Sequence, residues 1–144
     1  MQVTRFGYTK FVSLSGMKFS LVTGGEYHPS GLGAWDMMLD RTGKWVATWK
    51  RMGLETQFGP FQLGREENEQ LWSLIKQANL SGLNSSIRPG FPDEGRYVFT
   101  FQKNQEEKNL ELWEGDVRKL VTIKRLMTEI NGLLQQYTGQ NANL

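Results

Sequence analysis

The sequence contains no cysteine and one histidine. Without cysteine there is no disulfide framework, no thiolate zinc site, no thiol nucleophile and no cysteine-held iron–sulfur cluster. With one histidine, a metal site needing two imidazoles from one chain is excluded. Proline is scarce, at four residues, and no apolar run reaches 18 residues, so no membrane-spanning helix is expected. Charge of one sign is also lacking. Lys and Arg number 17 against 15 Asp and Glu, a net charge of +2, spread evenly along the chain. A nucleic-acid binder usually concentrates basic charge on one face, and this balance argues against one. The early residues MQVTRFGYTKFVSLSG have too many polar interruptions for a signal peptide, and a cytoplasmic location is the default expectation.

Aromatic residues, by contrast, are plentiful. Five Trp, eight Phe and four Tyr in 144 residues exceed what a disordered chain carries. The length suits one domain. Phe6, Tyr8, Val12 and Leu14 alternate loosely, so residues 1–16 read as an edge strand or as an extension on a domain beginning at Met17. The expected division is 1–16 as that segment, 17–138 as one α+β domain and 139–144 as a frayed tail.

Alternation marks the strands. Lys18 to Thr23 is one. Trp35, Met37 and Leu39 share a face in the next, with Asp36, Met38 and Asp40 opposite. Trp45, Ala47 and Trp49 share a face in the third, leaving Lys44, Val46, Thr48 and Lys50 as its solvent side. The intervening Asp40-Arg41-Thr42-Gly43 suits a hairpin turn, with Asp capping and Gly supplying positive φ. Leu54 to Leu63 is interrupted by Gly59-Pro60 and reads as an irregular or edge strand. A helix of about 14 residues follows from Arg65. Its early glutamates suit the helix dipole, and Leu71, Ile75 and Ala78 form a buried stripe. Tyr97, Phe99 and Phe101 mark the first strand of a second hairpin, and Leu110 and Leu112 the second. Asp116 reads as the N-cap of a last helix carrying Leu120, Ile123, Met127, Ile130, Leu134 and Tyr137, ended by Gly139. The fold class is α+β: a single antiparallel sheet of about five to six strands, with two helices packed on one face.

Two segments stand outside this pattern. Residues 24–33 hold four glycines and a proline, and residues 84–95 hold two of each. Both exceed usual connection lengths. They contain Tyr27, His28, Arg88 and Phe91, residues of types that anchor interfaces, and these four are the candidate binding residues. Catalysis offers one alternative: His28 as general base, oriented by Glu26 or Asp36, with Ser30 as nucleophile. Asp36 and Asp40 lie about 13 Å apart by strand rise, too far to act as a glycosidase pair. A second alternative is nucleic-acid binding by the hairpin of residues 41–51, where Arg41, Lys44, Lys50 and Arg51 surround Trp45 and Trp49. Its parity puts the tryptophans opposite the lysines, which favours a core role for them. Met37, Met38 and Met52 are open between core and interface. No cofactor or metal is implied.

From Lys18 onward the layout is similar to the emfourin-type small proteins, over about 120 residues. The shared pattern is an early strand ending in Gly-Gly (Lys18 to Gly25), a helix, a hairpin opening near Asp93 and Tyr97, and a closing helix after Asp116. The chain departs from it at residues 1–16 and in the Trp-rich hairpin of residues 35–49. That family inhibits thermolysin-like metalloproteases, and no inhibitory residue of the family maps onto this sequence. The combined expectation is a non-enzymatic binding module with a protein partner, a metalloprotease inhibitor acting through its loops, present as a monomer or weak dimer and away from membranes.

Overall fold

The computed structural model describes residues 16–28, 31–92 and 94–144. Residues 1–15, Ser30 and Asp93, which figured in the expectations above, lie outside the described residues. The elements run β1 (Met17–Thr23), β2 (Ala34–Asp40), β3 (Lys44–Arg51), β4 (Leu54–Gln62), α1 (Arg65–Ala78), a single 3₁₀ turn (Leu80–Gly82), β5 (Arg96–Lys103), β6 (Glu106–Trp113), α2 (Glu114–Val117) and α3 (Val121–Thr138). The six strands form one sheet in the order β4-β3-β2-β1-β5-β6, antiparallel throughout. This is the expected α+β class, at the upper end of the expected strand count.

Register follows the hydrophobic pattern. Phe19 sits between Leu39 and Phe101, and Leu21 between Met37 and Phe99, so the apolar parity of three strands lines up in rows. These rows share one core cluster with Leu71, Trp72 and Ile75 of α1 and with Ile123, Leu126 and Ile130 of α3. Aromatic rings fill its β3–β4 side. Trp35 stacks on Trp49 with centroids 5.5 Å apart, and Trp45 meets Phe61 at 4.8 Å and the edge of Tyr137 at 5.2 Å. The Tyr137 hydroxyl then donates to Glu67 Oε1 at 2.8 Å, joining α3 to α1.

The first hairpin turn forms as expected, and its cap does more than expected. Asp40 is buried, and its Oδ1 accepts from Thr42 N (2.9 Å), Thr42 Oγ1 (2.6 Å) and Lys44 N (3.1 Å). α1 is tied to the same turn: Trp72 Nε1 donates to the Asp40 carbonyl and Asn68 Nδ2 to the Arg41 carbonyl. α1 ends where expected, at Asn79 in the left-handed conformation, and Gly139 ends α3 in the same way.

Three expectations are corrected. Asp116 does not cap the last helix. It lies inside the short α2, and α3 begins after Leu120 with no side-chain cap, because the Asp116 carboxylate is engaged by Ser86 and Arg88. The tail does not fray: Ala142 is buried in the core, and Leu144 exchanges two hydrogen bonds with the Asn131 side chain, at 2.8 and 3.2 Å. The supposed solvent side of β3 is only partly solvated. Lys44 is exposed, but Val46 and Thr48 are buried, Val46 packing against Met38, and Asp36 beside them on β2 is buried too.

Asp40→Ala strands two turn amides in a buried site and is expected to cost about 3 kcal/mol. Asp40→Asn keeps an acceptor at Oδ1 and should cost less. Urea unfolding with an unchanged m-value measures both.

Candidate functional site

Strand pairing places the two long loops at one end of the sheet. Thr23, the last residue of β1, faces Tyr97 near the start of β5. Gly24 N donates to the Arg96 carbonyl at 3.0 Å, so the first loop leaves β1 directly beside the point where the second loop enters β5. The β3–β4 turn is at the same end, with Met52 N donating to the Glu26 carbonyl at 2.9 Å. α2 completes it, following Trp113 of β6, which pairs with Arg96.

The first loop is anchored through its backbone. His28 N donates to the Gly25 carbonyl and Gly31 N to the His28 carbonyl, while Trp49 Nε1 donates to the Leu32 carbonyl at 2.8 Å. Gly33 makes this return possible. Its φ is +73°, and a Cβ there would lie 2.5 Å from the Lys50 carbonyl oxygen, so no side chain fits. Tyr27 and His28 are both exposed.

The second loop is held by charge. Arg88 makes a bidentate contact with Glu94, at 2.9 and 2.6 Å, and reaches Asp116 Oδ1 through Nε at 3.3 Å. Glu94, with its side chain 7% exposed, also accepts from Phe91 N and Gly115 N. Ser86 Oγ donates to Asp116 Oδ2. Trp113 Nε1 donates to the Arg88 carbonyl, and the indole rests so close to Gly90 that a Cβ there would meet it at 2.7 Å. The loop also borders β6: Ser86 N donates to the Glu111 carbonyl, and Glu111 N to Ser85 Oγ.

Arg88 is therefore the centre of a three-residue ionic staple. Its guanidinium holds the Glu94 carboxyl down at about 2, with the Phe91 and Gly115 amides adding to the effect. The Ser86 hydroxyl, followed by the Arg88 charge, lowers the Asp116 carboxyl. The two acids in turn raise the Arg88 pKa, the Glu94 hydrogen bond most of all.

The four candidate residues thus divide. The structure brings Tyr27, His28, Arg88 and Phe91 to the same end of the sheet. Arg88 is spent on the staple, with its guanidinium 5.3 Å from the Phe91 ring, while Tyr27 (68% exposed) and Phe91 (72%) face outward. Sequence reasoning missed Ile87, fully exposed one residue before Arg88, and the exposed Leu32, Met52 and Leu54. Ile87 was visible as the one aliphatic residue in an otherwise polar and turn-forming stretch. The others depended on knowing which turns share an end. Of the seven large hydrophobic residues exposed among the described residues, all but Val121 lie here.

Asp36, offered as an orienter for His28, is buried on the interior strand β2, opposite Val22 and Thr48. Among the described residues, no group of three or more His, Asp or Glu is placed to hold a metal. In the basic hairpin, Trp45 is wholly buried and Trp49 lies between Trp35 and the Arg51 guanidinium, 4.1 Å away. The tryptophans belong to the core. Met37 is core, Met38 half-buried and Met52 exposed, so the methionines split between both roles. No helix of the described residues is long and apolar enough to cross a membrane.

No protein-family model and no curated protein matches this sequence.

The staple makes the loop acid-sensitive. Because the folded pKa of Glu94 lies below its ordinary 4.5, its stabilisation is complete above about pH 4.5 and is lost as pH falls towards about 2. Stability measured across that window should fall less steeply for Glu94→Gln than for the parent protein.

Proposed function

We propose that this chain is a non-enzymatic binding module that docks a protein partner on the loop end of its sheet. The observation that carries the reading is the gathering of Tyr27, Leu32, Met52, Leu54, Ile87 and Phe91 at that end. Single exposed hydrophobics need no explanation, but their concentration on one end is characteristic of interaction surfaces. The reading takes α1 and α3 as a backing layer over one face of the sheet, leaving the loop end clear. Their buried residues share a cluster with Phe19 and Phe99.

The inhibitor form of this reading rests on the emfourin-like layout together with the staple. A protease inhibitor must present its contact loop already ordered, since ordering on binding would subtract from affinity. Residues 86–94 have the means: Arg88, Glu94 and Asp116 fix the loop internally while Ile87 and Phe91 stand clear. Phe91 and Ile87 are the expected anchors, with Tyr27 across the gap between the loops.

The test is inhibition of a thermolysin-like metalloprotease, read beside partner capture from native source. Inhibition should weaken at least about tenfold in Ile87→Ser/Phe91→Ser, the scale of an interface hot spot. His28→Ala should change it by about tenfold or less. Absence of inhibition at saturating protein removes the inhibitor form. A captured partner indifferent to Phe91→Ser and Tyr27→Ser removes the docking surface itself.

A further inference from the structure

The opposite end of the sheet carries a groove that the docking reading leaves unused. There the β1–β5 ladder closes with Met17 opposite Lys103, and Arg41 N donates to the Met17 carbonyl at 3.1 Å. The second half of α1 lies against this corner, leaving a cavity of about 570 Å³. That falls within the roughly 300–1,000 Å³ of small-molecule sites.

The walls are apolar and partly aromatic. Trp72, Ile75 and Leu80 are buried there, while Met17 and Phe101 are only half covered. The rim is charged and unbalanced. Arg41, Lys76 and Lys103 face the single carboxylate of Glu69. Arg41 is engaged, 3.3 Å from Glu69 and 5.7 Å from the Trp72 ring centre. Lys76 and Lys103 form no ion pair with any described residue.

Position sharpens the point. Lys76 stands in the last turn of α1, where a cation suits the helix dipole, so it has one structural task already. Lys103 has none of that kind. It occupies the parity of Tyr97, Phe99 and Phe101, the core-facing row of β5, where a lysine breaks the pattern. The negative end of the α1 dipole would repel an anion on its own, and two ammonium groups without an ion pair among the described residues more than offset that partial charge.

We propose that this groove binds a small amphipathic carboxylate, its apolar body lying against Trp72 and Phe101 and its carboxylate taken by Lys76 and Lys103. An uncharged body would leave both lysines unpaired. A cation would meet an excess of two positive charges, three bases against one acid. The charge-assisted contacts supply selectivity and the aromatic walls most of the buried area.

Calorimetric titration with phenylbutyrate, against phenylbutanol as the same body without charge, tests this on the full chain. The carboxylate should bind about tenfold or more tightly than the alcohol. The Trp72 indole and Phe101 amide NMR signals should shift with it. Lys76→Gln/Lys103→Gln should remove the preference without changing alcohol affinity. Equal affinity for the two ligands, no binding at millimolar concentration, or a preference that survives in the double variant overturns the proposal. Should the double variant unfold, the comparison in the parent protein and the NMR mapping decide alone. Phe91→Ser should leave the titration unchanged, so this result and the fate of the loop-end reading are read separately.

Discussion

Everything in this fold depends on the pairing of β1 with β5. These strands lie far apart in the chain, with three further strands and a 14-residue helix between them. Their seven-residue ladder, from Met17↔Lys103 to Thr23↔Tyr97, joins a four-strand meander to a separate hairpin. A slip of one residue would turn Phe99 and Phe101 away from Phe19 and Leu21 and split the core rows. It would also part the two long loops, which leave and enter this ladder at one end. The entropic cost of closing so long a loop is offset by the core cluster that those rows share with buried residues of α1 and α3.

The ends of the sheet have been given opposite characters. At the loop end, charges face inward on one another and apolar side chains face out. Arg88 pairs with both Glu94 and Asp116, while Ile87 and Phe91 stay exposed. At the other end the apolar groups form a floor and the lysines stand unneutralised at its rim. The first arrangement suits a broad, mostly dry contact. The second suits a ligand with one polar head.

Legibility in the sequence tracked periodicity. The Trp-rich hairpin was readable because Trp35, Met37 and Leu39, then Trp45 and Ala47, keep strict alternation around Asp-Arg-Thr-Gly. α1 was readable because its stripe and its Asn79 stop are both local. What escaped was contact without period. Asp116 looked like a cap because an acid before a helix often is one. Its true partners, Ser86 and Arg88, lie 30 and 28 residues away. The tail looked frayed because Asn131 meeting Leu144 leaves no repeating signal. The site was found to the extent that long aperiodic loops could be seen. Which of their residues faced outward needed the third dimension.

The two rims of the sheet also differ. Along β6, Glu111 and Trp113 already receive the segment carrying Ser85 and Ser86, and the rest of that strand bears Glu106, Glu107 and Lys108. Along β4, Leu54 to Phe58 pairs, among the described residues, with β3 alone. A sheet open on both sides would accept new strands without limit. Among the described residues the open rim is that of β4, and two copies meeting through it would cover both rims and close the pair.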